Sequence, residues 1–324
     1  MTRWLLRRLI HAAATFLVVT ILLFLLMRIA PGDPLSRLVD QQQMSAEEMA
    51  VLRARFGLDQ PLGRQFLTFV TGLPSGNMGV SIEHYPDRVS TLLRERLAPS
   101  LLLGGVVLVL NFTLGIWLGV LQATHRGSRL DRWLTRLSLA GYSLPSFWLA
   151  LMLVALVSLQ WQLLPAAQMT DPLLSAEASW WERAADIGRH LILPALTLSI
   201  VSLATTMRYQ RTAMLEVMRL DFVRAASARG LSSTRVRWRH AWRNALFPLL
   251  TLLGLWLPFL VTGSVFVEAI FNWPGIGSLA AEAILGRDYP LLQGTAMLAA
   301  ALVLAGNLLA DLGHLLLDPR TRTA

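Results

Sequence analysis

The chain of 324 residues contains no cysteine and no lysine. Without cysteine it can form no disulfide, no thiolate metal site and no cysteine nucleophile. Without lysine it cannot contain the phosphate-binding loop of many ATPases, because that loop ends in Lys followed by Ser or Thr. Charged residues are also scarce, at 15% of the sequence. This composition lies outside the range of soluble globular domains.

Apolar residues take the place of the missing charges. They make up 54% of the chain, and the mean hydropathy is +0.52. Six apolar stretches are long enough to cross a hydrocarbon core of roughly 30 Å. They cover about 9–27, 100–122, 134–159, 191–207, 245–270 and 291–317. The first is too long for a signal-peptide core, and the turn residues that follow it do not form a cleavage site, so we predict a membrane helix there.

The arginines indicate how these spans are oriented. Cytoplasmic loops retain arginine in multi-pass membrane proteins. With six spans, eighteen Arg and four acidic residues lie in or at the edges of the segments on one side, whereas acidic residues outnumber Arg in the segments on the other side. We therefore predict both termini and the 208–245 loop, with its nine Arg, on the cytoplasmic side. The same pattern argues against a nucleic-acid partner, because the arginines flank apolar spans.

The predicted fold is one all-α transmembrane domain, 1–324, of six helices with a helical external insertion at 31–98. Within the insertion, Ser45 and Glu48 have the spacing of a capping box, and Gly57 is placed to end that helix. An amphipathic helix is predicted over 87–97, lying along the membrane surface before the second span. In that second span, Gly115 and Gly119 form a GxxxG pattern, which is typical of close helix packing.

The 208–245 loop contains small residues as well as arginines. Asp221 is predicted to cap a short alanine-rich helix that Gly230 ends, and Ser232 or Ser233 to cap a second helix leading into the fifth span. The result is a compact knob of two helices at the membrane surface. If this loop only held anionic lipid head groups, its arginines would suffice and its small residues would have no role.

The loop resembles the EAA coupling loop of bacterial ATP-binding-cassette (ABC) importer permeases, in which an Ala-Ala pair precedes Gly and a Pro follows. Ala225, Ala226, Gly230 and Pro248 match that pattern, whereas Arg224 stands where the family has Glu. The chain is similar over nearly its whole length to the branch that imports dipeptides, oligopeptides and nickel, and its long first external segment is similar to that of the first permease subunit. The matching segments begin at Pro31, Phe56, Pro145, Arg239, Trp273, Arg287 and Leu317.

The resemblance implies a type I ABC importer transmembrane domain in the bacterial inner membrane. Its partners would be a second homologous permease in a heterodimer, cytoplasmic ATP-binding subunits, an external solute-binding protein and membrane lipid. Peptide-like solutes would be the cargo, and the chain would be neither an enzyme nor a cofactor- or metal-binding protein. The residues that the resemblance assigns to ATPase coupling are Asp221, Phe222, Val223, Ala225, Ala226, Arg229, Gly230 and Leu231.

The sequence is also compatible with other functions. The same transporter class could carry nickel or another small solute. A stand-alone secondary transporter would need ionisable residues inside its spans, and the spans contain few, with Asp311 the candidate for a proton site. A scaffold protein of the membrane would bind partners but move no solute.

Overall fold

The computed structural model describes residues 2–29, 35, 45–256 and 265–317. Helices form nearly all the regular structure of these residues, beside one isolated antiparallel bridge between Val80 and Arg88. The first helices are α1 (Thr2–Ile29), α2 (Ala46–Arg55), α3 (Leu62–Gly72), α4 (Val89–Thr124), α5 (Arg129–Ser143), α6 (Ser146–Leu153) and α7 (Trp180–Val217). Then follow α8 (Asp221–Ala228), α9 (Ser233–Arg235), α10 (Arg243–Ala245), α11 (Phe247–Trp256), α12 (Val265–Ile270), α13 (Ile276–Gly286) and α14 (Tyr289–Leu317). Shorter segments are 3₁₀-helical (Leu73–Ser75) or π-helical (Val154–Gln160 and Val236–Trp242).

The prediction of an all-α integral membrane protein is confirmed. Helices α1, α4, α7 and α14 are each long and apolar enough to cross a membrane. A fifth candidate span is formed by α5 together with α6 and its π-helical extension. The predicted fifth span, 245–270, has α11 near its start and α12 at its end, and residues 257–264 between them lie outside the described part of the chain. So do the Pro31 turn and the segment from Asp318 to the C-terminus.

The predicted third span is not a straight helix. Helices α5 and α6 meet at an angle of 99°. Leu144 between them is extended, with φ −81° and ψ 128°, and Pro145 caps α6. The cause is local, because the ring of a proline disfavours helical backbone in the residue before it.

The separate amphipathic helix predicted over 87–97 is wrong as an element. Helix α4 continues from Val89 through Pro99 to Thr124 without a break. A proline removes a single N–H donor, which long apolar helices tolerate. The predicted apolar face is nevertheless buried, since Val89, Leu92 and Leu93 are all nearly inaccessible to solvent.

The chain forms two compact units. Unit 1 comprises Met1–Ser100 and Pro274–Ala305. In it the predicted capping box of α2 is confirmed, with the Ser45 and Glu48 side chains each bonded to the other's backbone N–H, and Gly57 follows the helix at φ 64°. These hydrogen bonds from Ser45 lower the pKa of Glu48. Ser100 Oγ accepts a hydrogen bond of 2.7 Å from the Ile276 N–H at the start of α13.

Unit 2 comprises Leu101–Trp273 and Gly306–Ala324, and α7 is its longest helix. The helix begins with a capping box between Ser179 and Glu182 and ends at Val217, so it extends the predicted span 191–207 in both directions. Two apolar clusters pack against it. Their buried members are Leu103, Val107, Ala195 and Trp273 in one and Ala150, Leu193, Val267 and Phe271 in the other.

Candidate functional site: the knob after helix α7

The predicted loop 208–245 is helical in its first part. Arg208 and Arg211 lie on α7, which ends at Val217. Residues 218–245 form the compact structure that the sequence predicted, and we call them the knob. Helix α7 thus continues beyond its apolar stretch, and the hydropathy of a span does not reveal such an extension.

Helix α8 begins at Asp221 itself, whereas the prediction that Asp221 is the N-cap requires the helix to begin at Phe222. Leu220 is the N-cap, with φ −72° and ψ 148°, and Asp221 is the first helical residue. The Asp221 carboxylate is fully exposed and lies 3.7 Å from the guanidinium of Arg224. An acidic group in the first turn is favourable because helix N-termini carry partial positive charge. Asp221 therefore supports the helix by charge, and its predicted role as a capping side chain is wrong.

The turn that closes the knob matches the prediction. Arg229 is the C-cap of α8, and Gly230 follows in the left-handed region at φ 78°. A Cβ atom added at Gly230 would have no other atom within 4 Å, so a side chain there would meet no steric clash. Glycine is favoured at this position because of its left-handed backbone conformation. Ser232 then caps α9, because its Oγ accepts the N–H of Arg235.

The inner face of α8 packs on the rest of unit 2. Val223 and Ala226, three residues apart, are buried in a cluster with Met214 of α7. Other buried members of this cluster are Val120, Ala123, Ala213, Val236, Ala241 and Ala245, and Leu231 packs against it. The Ala-Ala pair is thus divided, since Ala226 is fully buried whereas Ala225 faces outward. Val223 and Ala226 fix the helix to the chain's own core and offer no surface to a partner.

The outer face of the knob exposes large apolar side chains. Phe222 is 42% exposed, and Leu220 and Met218 beside it are 49% and 38% exposed. Arg224 of α8 and its C-cap Arg229 are also exposed. The sequence prediction included Phe222 but not Met218 or Leu220, although the alternation of these three residues with polar ones is visible in the sequence. Apolar side chains grouped at a polar surface mark a contact site for another macromolecule.

Two family models match the chain. The model described as binding-protein-dependent transport system inner membrane component covers residues 97–323, which include the whole knob. The model for the N-terminal part of such membrane components covers residues 1–88. The chain belongs to this family. The resemblance to ABC importer permeases is thereby confirmed, and the chain is a multi-pass membrane subunit of a transport system.

Curated relatives of this permease family align over essentially the full chain. A dipeptide transport system permease protein of Escherichia coli (strain K12) is 36% identical over 337 residues, covering 99% of both chains. A di/tripeptide transport system permease protein of Pseudomonas aeruginosa (strain UCBPP-PA14) is 40% identical, covering 98% of this chain and 97% of the relative. An oligopeptide transport system permease protein of Bacillus subtilis (strain 168) is 35% identical, covering 99% of both chains.

Proposed function

We propose that this chain is one permease half of an ATP-driven importer of peptide-like solutes, with di- or oligopeptides as cargo. The observation that carries the coupling part is the knob, whose outer face offers Phe222, Leu220 and Met218 to another protein. The cargo follows from the three relatives described above, all of which are named for peptides and align over nearly the full chain.

The energy comes from a separate subunit, because a lysine-free chain cannot build a P-loop. A cytoplasmic ATP-binding subunit docks on the outer face of the knob, and its closure moves α8 together with the core on which α8 packs. A second, homologous permease forms the other half of the path. An external solute-binding protein docks on 31–98 and 272–289. In this arrangement both termini lie in the cytoplasm, as the distribution of arginine requires.

Purification of the affinity-tagged chain in a mild detergent tests the assembly. A second permease and an ATP-binding subunit should copurify. The complex, reconstituted in vesicles, should take up a labelled dipeptide only when ATP and a solute-binding protein are both present. Isolation of the chain alone under conditions that preserve complexes, or uptake without ATP, would favour a stand-alone transporter instead.

Replacement of Gly230 tests the coupling role. Gly230→Val forces a β-branched residue into the left-handed region and distorts the turn of the knob, at a cost of about 1–3 kcal/mol. We expect ATP hydrolysis without transport, while membrane insertion stays normal. Gly127→Val is the matched control, because Gly127 has φ 79° and equally open surroundings but lies outside the knob. Equal loss of transport in both variants would sink the assignment of coupling to the knob.

Phe222→Ser tests whether the apolar outer face of the knob contributes to binding of the ATP-binding subunit. This change leaves the backbone of α8 intact and removes only an exposed side chain. We expect weaker retention of the ATP-binding subunit during purification. Retention equal to wild type would place the contact elsewhere on the knob.

A further inference from the structure

Unit 1 contains a cavity of about 560 Å³. We call it the α1–α14 cavity, because Arg28 in the last turn of α1 and Gln293 in the second turn of α14 line it, together with Arg55, Gln65, Phe69 and Tyr85. Its two charged lining residues are both arginines, and none of the described residues that line it is acidic. The cavity is therefore electropositive and large enough for a polar head group.

Two polar side-chain atoms of this cavity lack partners among the described residues. Gln293 is only 8% exposed. Its side-chain N–H₂ group is buried and donates no hydrogen bond to any described residue. The Gln65 side-chain carbonyl is buried and accepts nothing from the described chain. A buried polar group without a partner costs roughly 1–3 kcal/mol, so such groups are normally satisfied. The Gln293 N–H₂ therefore indicates a ligand that accepts hydrogen bonds, whereas the Gln65 carbonyl needs a donor such as water.

The guanidinium groups point to the charge of that ligand. Arg28 makes no ion pair with any described residue, and its guanidinium carbon lies 5.5 Å from the centre of the Phe24 ring. Arg55 donates one hydrogen bond, of 2.8 Å, to the Tyr85 hydroxyl. A guanidinium carries five N–H donors, so both arginines keep donors for an oxyanion. Together with the Gln293 amide they match a phosphate or a carboxylate.

The position of the cavity indicates which kind of molecule carries this phosphate or carboxylate. Arg28 ends an apolar span, and Leu22, Leu25 and Leu26 on the preceding turns are exposed. Arg28 thus places one part of the cavity lining at the end of an apolar span, at the level where the head groups of a bilayer lie. From this geometry we infer that the α1–α14 cavity binds the phosphate of a phospholipid head group, with the acyl chains lying along α1.

The test uses the detergent-purified permease complex, stripped of lipid and titrated with dioctanoyl-phosphatidylglycerol below its micellar concentration. Intact-complex mass spectrometry measures the bound lipid. Arg28→Gln and Gln293→Leu should each weaken binding about tenfold, because each removes donors to a charged group. Arg28→Lys should weaken it less, since it keeps the charge. Arg64→Gln is the control, because Arg64 is exposed on α3 and does not line the cavity.

Two further probes distinguish the possible sources of the oxyanion. Neither inorganic phosphate nor dialanine, each at the same concentration as the lipid, should displace it from the wild-type complex. Displacement by dialanine would overturn the assignment in favour of a peptide site. Equal lipid binding by wild type, Arg28→Gln and Gln293→Leu would overturn it as well, and would leave the cavity to water. A normal elution profile of each variant in size-exclusion chromatography shows that the complex has folded.

Discussion

Asp288 is a buried carboxylate that holds two segments of unit 1 together. One oxygen, Oδ2, accepts the Ser81 hydroxyl and the N–H groups of Ile82 and Glu83, at 2.5 to 3.0 Å. The other, Oδ1, accepts the N–H of Leu291 in the first turn of α14. Negative charge is favourable at that helix end. Donors from the Ser81–Glu83 segment and the helix N-terminus together compensate for the burial of the charge.

Asp288→Ala should therefore loosen the external segment. It leaves the N–H groups of Ile82 and Glu83 without an acceptor, and hydrogen bonds to a charged group contribute roughly 1.5–3 kcal/mol each. We expect trypsin to cleave the 45–98 segment at least about tenfold faster in the native protein, since local opening precedes cleavage. Asp59→Asn is the control, because Asp59 is exposed. Unchanged cleavage of the Asp288 variant would show that other contacts hold the segment.

Among the helices, α4 and α7 pack with almost no space between them. An added Cβ at Gly119 would lie 2.6 Å from the carbonyl oxygen of Met207, and one at Gly115 would lie 2.9 Å from Thr206 Cβ. The GxxxG pattern in the second predicted span thus marks a real close approach. Gly105 on the same helix has nothing within 4 Å, so it offers a matched control.

Gly119→Ala should lower stability while Gly105→Ala should not. The first change forces two backbones apart, for which overpacking costs of about 1–3 kcal/mol are typical. The second meets only open space, and alanine favours helix over glycine by up to about 1 kcal/mol. The melting temperature of the detergent-solubilised protein measures both. A Gly119→Ala variant as stable as Gly105→Ala would contradict the packing of α4 on α7.

Helix α5 is fixed to α7 by an ion pair. Arg211 Nε and Nη2 each lie 3.0 Å from one oxygen of Asp131, which also accepts the Gly127 N–H. Asp131 is buried and Arg211 is about a third exposed, so solvent screens the pair in part. In a double-mutant cycle of Asp131→Asn and Arg211→Gln, we expect a coupling of about 1–3 kcal/mol. Arg132→Gln, on an exposed neighbour, should leave stability within about 0.5 kcal/mol.

Local chemistry explains which elements the sequence predicted well. Gly230 and Ser232 act through backbone geometry and one hydrogen bond, so their roles could be inferred without tertiary structure. The same local pattern, Ser179 followed by Glu182, marks the start of α7, but the prediction used hydropathy there and began the span later. Pro145 likewise signals a bend in the sequence, but the apolar residues on both sides of it favoured the prediction of one continuous span.

The division of the knob into two faces could not be predicted, because it depends on tertiary packing. Ala225 and Ala226 are chemically identical neighbours, yet one faces outward and the other is buried among side chains from α4, α7 and the segment after α9. A family pattern names both as coupling residues. Only the arrangement of the surrounding helices separates the residue that holds α8 in place from the one that a partner can touch.

At the scale of the whole molecule, the arginines and the apolar outer face of the knob have separate roles. Nine arginines from Arg208 to Arg243 resist transfer across the bilayer, each at roughly 2.5–3.5 kcal/mol if placed at its centre. They fix the side on which the knob lies. The exposed apolar side chains do not affect sidedness; in the function that we propose, they form the surface on which the ATP-binding subunit docks.

Sidedness can be measured directly because the chain has no cysteine of its own. Thr234→Cys lies in the knob and Ser175→Cys in the loop before α7, and both positions are exposed. A membrane-impermeant maleimide should label Ser175→Cys in intact spheroplasts, and Thr234→Cys only after permeabilisation. The cysteine-free parent supplies the background. Labelling of Thr234→Cys in intact spheroplasts would invert the topology and remove the knob from any cytoplasmic ATP-binding subunit.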